Sequence, residues 1–257
     1  VSRANGVVVY EGPSAMDGAP IAVVAILESA NQATGPMVQT YIFRSDVHPV
    51  QAQHAGMDAS VCGSCALRGH LIERPTLPFP TLANEDRRCY VLVWREVAQI
   101  WSHYRAGKYP RLTHPESLRS LGYCRAIRLG SYGDPAAAPV TLWEALCADA
   151  RLVTGYTHQW RTHAALKPFC MASVDSVAEA AEASSMGWRY YRTRRRGELE
   201  QLAGEIVCPK SAEAGRRLTC IECRHCDGAR SGRRGNVVIN LHGPSAAARE
   251  VQRQRQA

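Results

Sequence analysis

The chain has 257 residues, 46% of them apolar, with a formal charge of +8 at pH 7 and ten cysteines. That is enough apolar side chain to fill a sizeable core, which excludes disorder throughout, and no apolar run is long enough to span a bilayer. With no basic-then-apolar leader and no missing core for disulfides to replace, the cysteines are expected to be metal ligands or core residues of a soluble, intracellular protein.

The first elements read as β structure. Two apolar runs, residues 7–10 and 21–27, flank a Gly-Pro-Ser-Ala-Met-Asp-Gly connection and predict a strand pair; residues 38–43 alternate as a third strand after Gly35 and Pro36. Residues 46–88 have little periodicity and contain Pro75, Pro78 and Pro80, which predicts a long loop. It carries Cys62 and Cys65 and leads to Cys89, and a loop of that length is usually functional or tied down. Trp94, Val97, Ala98, Trp101 and Tyr104 then share one helical face, ended by Gly107. Thr113 with Glu116, and Pro115 in the first turn, predict a capped helix to Gly122.

From residue 123 onward strand and helix alternate. Strands are expected over 123–129, 152–155, 169–174, 188–192, 206–208 and 237–241. Helices are expected over 141–150 and 176–187, opened by the capping pairs Thr141/Glu144 and Ser176/Glu179, with a short one ending at Leu166. This alternation predicts an α/β fold, a parallel β/α barrel or partial barrel. The expected organisation is an N-terminal β extension with the Cys62/Cys65/Cys89 loop over residues 1–93, a barrel-like domain with cysteine-rich metal-binding loops over 94–243, and a flexible Arg/Gln tail over 244–257.

The strongest chemical signal is Cys208, Cys220, Cys223 and Cys226. Four thiols sit within about twenty residues, three of them at two-residue gaps, so one turn of chain can deliver several thiolates to one metal, zinc or an iron-sulfur cluster. His225 or His242 is an alternative ligand there. Cys62, Cys65 and Cys89 form a second set, in which three thiolates leave one metal position open unless His54 or His70 closes it. Cys124, Cys147 and Cys170 stand alone in apolar segments and read as core.

In parallel α/β folds functional groups gather at the carboxyl ends of the strands. The strand ends here supply Gly130, Ser131, Tyr132 and Gly133 as substrate or cofactor contacts, with Asp134, His158 and Asp175 as candidate catalytic groups. Trp160 is a candidate stacking surface for a planar base, and Asp175 reads equally as part of a capping turn. All but three of the basic residues are arginine, and two clusters, Arg192/Arg194/Arg195/Arg196 and Arg230/Arg233/Arg234, suit phosphate, making nucleic acid or a nucleotide a candidate partner; solvated loops are the competing reading.

The segments Gly35-Pro-Met-Val-Gln-Thr40, Cys62-Gly-Ser-Cys65, Cys89-Tyr90, Leu129-Gly-Ser-Tyr-Gly-Asp134-Pro, Ala172-Ser-Val-Asp175-Ser, Gly187-Trp188-Arg189 and the Cys208 to Gly228 block resemble the uncharacterised phage and mobile-element proteins called gene product 88-like. That resemblance implies a phage or prophage source and the cytoplasm of a bacterial host cell. More distantly, the chain resembles radical S-adenosylmethionine barrels. This likeness implies cluster ligation by Cys62, Cys65 and Cys89, with Gly133-Asp134-Pro135 as the segment that helps bind S-adenosylmethionine, although Cys89 stands far from its partners in sequence. A third resemblance, to guanine transglycosylases, implies zinc at Cys220, Cys223, Cys226 and His242 with Asp134 or Asp175 as nucleophile. A non-catalytic zinc-stabilised nucleic-acid-binding module is the alternative to both enzyme readings, and the sequence leaves the oligomeric state unknown.

Overall fold

A computed structural model describes residues 4–69, 71–72, 81–82, 87–195, 197–215, 218–230, 232 and 235–241. The chain opens with β1 (Gly6–Pro13), β2 (Pro20–Ile26) and β3 (Val38–Arg44). β1 and β2 pair antiparallel, as do β2 and β3. β2 is buried along residues 21–26, so both of its faces are covered, as expected of a near-continuous apolar run.

The long loop is broken by α1 (Pro49–His54), α2 (Ala59–Cys62) and a ribbon of β4 (Leu71–Ile72) and β5 (Thr81–Leu82). There follow α3 (Glu96–Arg105), α4 (Pro115–Gly122), β6 (Ala126–Tyr132), α5 (Val140–Cys147), β7 (Leu152–Thr154) and β8 (Tyr156–Thr157). The rest is β9 (Met171–Val174), α6 (Val177–Ser185), β10 (Tyr190–Arg194), β11 (Glu205–Val207), α7 (Cys220–Cys223) and β12 (Asn236–Asn240).

The fold is mixed α/β with two five-stranded sheets, ordered β1-β2-β3-β6-β7 and β8-β9-β10-β12-β11. β3, β6 and β7 run parallel to one another, and every pairing in the second sheet is parallel. β3 therefore joins residues 1–93 to 94–243 within one sheet. Only Gly155 separates β7 from β8; a Cβ there would stand 2.8 Å from Cys170 Sγ, so the chain passes from one sheet to the other where no side chain fits. No described helix is long and apolar enough to cross a membrane.

Several local expectations need correction. Pro115 at the first helical position makes His114 the N-cap of α4, and Val140 starts α5 one residue early, so neither Thr113 nor Thr141 caps a helix. Ser176 does cap α6, its hydroxyl accepting from Glu179 N at 3.1 Å. Trp94 lies ahead of α3 and is exposed, leaving Val97, Ile100 and Tyr104 as its buried face. Cys147 and Cys170 are in the core, but Cys124 is exposed, held in a left-handed turn (φ 55°) between α4 and β6. The segment before Leu166 is a single 3-10 turn, and the tail over 244–257 lies outside the described residues.

Two members of the first arginine cluster are not solvated, while Arg195 is exposed and Arg196, Arg233 and Arg234 lie outside the described residues. Arg192 on β10 is 2% exposed and makes two 2.7 Å bonds to both carboxylate oxygens of Glu205 on β11. Arg194 is buried against Asn240 and the Glu200 carbonyl. Arg230 donates to the carbonyls of Ala148 and Ala150 beyond the end of α5. These side chains tie strands and loops together, because the alternation of β10 turns every second residue inward whatever its charge.

Burial opposes the charge of Glu205, yet the Arg192 guanidinium outweighs it and holds the carboxyl below the usual range. A depressed acid contributes stability above its unfolded-state pKa of about 4.3 and loses it as pH falls through the lower native value. Glu205→Gln leaves Arg192 buried without its counter-charge, so about 3–5 kcal/mol should be lost at pH 7. Denaturant unfolding from pH 7 to pH 3 should show the gap between native and variant protein closing toward acid.

Candidate functional site

Asp58, fully buried, organises the first cysteine loop. Its carboxylate accepts from Arg68 Nε at 2.9 Å and from Arg87 Nη1 at 3.2 Å. Arg68 lies three residues after Cys65 and Arg87 two before Cys89, so one buried charge gathers both ends of the set. The backbone completes the fastening: Cys89 N donates to the Leu67 carbonyl at 2.8 Å. Cys62 ends α2, and Gly63 follows at φ 55° with no room for a Cβ, which would stand 2.5 Å from the Gln159 side chain. Gln159 holds this turn through Ser64 Oγ at 3.1 Å.

The β6 end lies directly against this loop. Gly130 and Gly133 both have positive φ, and Cβ atoms on them would meet the Gly133 carbonyl at 2.5 Å and Ile42 Cβ at 2.7 Å. Ser131 donates to Gln39 Oε1 at 2.8 Å, and Tyr132 is buried. Asp134 accepts from Ala136 N at 2.9 Å and His158 N at 2.8 Å, while its own N–H reaches the Val61 carbonyl at 2.6 Å. Burial pushes its carboxyl pKa up against the pull of those N–H groups. Both carboxylate oxygens being engaged, Asp134 is a positioning group in this arrangement.

His158 stands between the first cysteine set and β9. Its Nε2 lies 3.9 Å from Cys65 Sγ and 3.3 Å from Asp175 Oδ2. Burial opposes the imidazolium, but Cys65 and Asp175 outweigh it and hold the pKa well above the ordinary histidine value. Asp175, which burial alone would raise, is lowered by His158 and by the Thr193 hydroxyl that donates to it. Asp175 N also donates to Glu179 Oε2 at 2.8 Å, so both readings of this residue meet in one place.

The second set keeps the strand-end expectation at Cys208 and departs from it at Cys220. Cys208 follows β11, and its N–H bonds the Val238 carbonyl. Cys220 and Ile221 pack on Met37, Ala126 and Leu152, which stand at the amino ends of β3, β6 and β7. Their N–H groups reach the carbonyls of Ala33 and Thr34, both at 3.2 Å. Thr219 and Glu222 form a capping box that starts the four-residue α7. Arg189, just ahead of β10, bonds Asp227 Oδ1, the Gly228 carbonyl and the His225 carbonyl, each at 2.6 Å. The chain after β11 thus runs back to the amino ends of the first sheet at Cys220, and the two cysteine sets border a common space.

Between them lies one cavity of about 690 Å³, lined by all seven of these cysteines, by residues 130–134 and by His158. Asp175 stands behind His158. Trp160 does not reach the cavity: it is 1% exposed, its indole N–H bonds the Ser173 carbonyl at 3.1 Å, and it packs in the core. His225 lines the cavity, His54 is exposed at the end of α1, and His70 and His242 lie outside the described residues.

Among the described residues no three Cys, His, Asp or Glu side chains are already gathered as a metal-ligating group. The donor chemistry nonetheless suits a thiophilic metal. Burial pushes up the thiols of Cys62 and Cys89, and within the first set Cys65 adds to the effect on both. Burial likewise raises Cys208 and Cys226, with further contributions from Cys220 and Cys223. Crowded buried thiols that resist ionising become ligands by releasing protons to a metal.

Sequence reasoning missed Asp58, Arg128, Thr154, Tyr156 and Tyr191, of which all but Asp58 line the cavity. A visible signal for Arg128 is its charge inside the otherwise apolar run Ala126-Ile-Arg-Leu129. No protein-family model, curated protein or solved structure matches the chain.

Asp58→Asn removes the charge that balances two arginines, one of them buried. About 3–5 kcal/mol of stability should be lost. Cys62 and Cys89 should also react faster with a thiol reagent than in the native protein, as mass spectrometry of labelled peptides will read.

Proposed function

We propose that the protein is an iron-sulfur enzyme of the radical S-adenosylmethionine type that modifies a nucleotide or nucleic acid. The observation that carries this reading is the convergence of two cysteine sets and the Asp134, His158 and Asp175 group on one cavity. The finer reading of the fold as a partial parallel barrel is part of the proposal. It is supported by the strand order and by the single-glycine link between β7 and β8.

Cys62, Cys65 and Cys89 would hold the catalytic cluster, and Cys208, Cys220, Cys223 and Cys226 a second metal group. When bound, an iron-sulfur cluster with an open iron supplies a binding position for the cofactor and a source of single electrons. The chain's own residues do the rest. Residues 130–133 form a glycine-bracketed turn in the cavity lining against which a cofactor can lie. Asp134 fixes that turn to the His158 backbone. His158 sets Nε2 between Asp175 and Cys65, a placement suited to orienting a polar ligand group. Arg88, Arg95 and Lys210 add cationic groups to the cavity lining, as a phosphate-bearing substrate needs.

Oxygen-free purification followed by iron, acid-labile sulfide and zinc analysis tests the reading. Iron with matching sulfide and a brown absorption are expected. Cys62→Ala and Cys226→Ala should each remove about half of the iron if both groups are clusters. A colourless protein holding only zinc overturns the proposal, in favour of a zinc-dependent base-exchange enzyme or a zinc-stabilised binding module.

A further inference from the structure

Arg128 stands in the middle of β6, in register with Gln39 of β3 on one side and Thr154 of β7 on the other. All three line the cavity between the cysteine sets. A guanidinium does not shed its charge in a protein, so burying one calls for a counter-charge or a full set of acceptors. The other buried arginines have theirs within the fold: Asp58 for Arg87, Glu205 for Arg192, and Asn240 with the Glu200 carbonyl for Arg194. Arg128 differs. Its Nη2 donates to the Tyr90 hydroxyl at 3.2 Å and its guanidinium lies 5.2 Å from the Tyr156 ring centre. Among the described residues no ion pair joins it to a carboxylate. Beside it, the Thr154 hydroxyl is 1% exposed and has no hydrogen-bond partner among the described residues.

We infer that Arg128 and Thr154 recognise the phosphate of a mononucleotide-sized substrate held inside the cavity. This deepens, and rests on, the reading of the cavity as a nucleotide-modifying site. A buried fork of donors with an unpaired hydroxyl alongside suits a phosphate monoester, which offers several acceptor oxygens and up to two negative charges. The cavity volume falls within the range of small-molecule sites. Tyr156 and Tyr191, with ring centres 4.5 Å apart and planes tilted by 52°, add aromatic surface for a base next to the charge. A polynucleotide backbone is the poorer fit, because Arg192 and Arg194 of the arginine-rich strand point inward and are already engaged. The competing counter-charge is a metal-thiolate group at Cys208, Cys220, Cys223 and Cys226.

The test is equilibrium binding of the four ribonucleoside 5′-monophosphates, their nucleosides, inorganic phosphate and a single-stranded oligonucleotide to the full chain, with metal content measured on every sample. At least one monophosphate should bind about tenfold or more tighter than its nucleoside, with a salt dependence near that of one contact. Arg128→Gln should abolish this preference with metals unchanged, Arg128→Lys should keep part of it, and Thr154→Val should weaken it about threefold. If Arg128→Gln fails to fold, the Lys and Val variants carry the comparison. The inference is overturned if no monophosphate outbinds its nucleoside or if the preference survives Arg128→Gln. Loss of metal with Arg128→Gln, or a steeply salt-dependent oligonucleotide that outbinds every monophosphate, overturns it too. Iron and sulfide without Arg128-dependent phosphate binding defeat this inference alone. Arg128-dependent phosphate binding in an iron-free protein defeats the iron-sulfur reading and leaves the phosphate site standing.

Discussion

One buried carboxylate, Asp134, fixes the relation of the parts that make the site. It accepts from the backbone of Ala136 and His158, and its own N–H reaches Val61, one residue before Cys62. The helix that ends in Cys62, the end of β6 and the segment after β8 therefore meet at a single residue. β6 and β8 belong to different sheets, so the contact also holds the sheets together at their carboxyl ends. Burial disfavours the charge, and hydrogen bonds to a charged acceptor, each worth about 1.5–3 kcal/mol, offset only part of that cost, so the carboxyl pKa stays raised. The fold holds an ionisable group against its solvation preference where it needs geometry.

The same device recurs at both cysteine loops, which have little regular structure of their own. Asp58 binds Arg68 and Arg87 around the first set, and Asp227 binds Arg189 beneath the second. Such pairs are weak sources of stability but strong constraints on geometry, since removing either partner leaves a buried charge alone. Several arginines are thereby committed to the interior. The basic balance of this chain consequently says less about its surface than the same number would in a protein whose arginines are all exposed. Arg128, buried without such a partner, stands out against that background.

Local signals were legible where a short stretch contains all the physics. The strands at residues 7–10, 21–27 and 38–43, the Ser176 cap and the glycines of the β6 end all stand where pattern and stereochemistry place them. Signals failed where a neighbour decided the outcome. Pro115 at the first position of α4 and Pro139 just ahead of α5 moved the caps away from Thr113 and Thr141. Trp160 lies close to a strand end that serves the cavity, yet its ring turns into the core, because the Ser173 carbonyl offers its N–H a buried partner.

By itself the sequence determined an α/β chain in which strand and helix alternate in the second half, and it determined which thiols stand close along the chain. Those properties depend on side-chain period and on spacing, both written in order along the polymer. Only the tertiary structure decided that Asp58 ties Arg68 to Arg87 and so the Cys65 segment to the Cys89 segment, that the Cys220 loop returns to the amino ends of the strands, and that Arg128 and Thr154 stand side by side. Each of these needs residues far apart in sequence to be brought together by sheet register and by buried charge pairs. Such long-range pairing is a property of the whole packed chain, and no local window contains it.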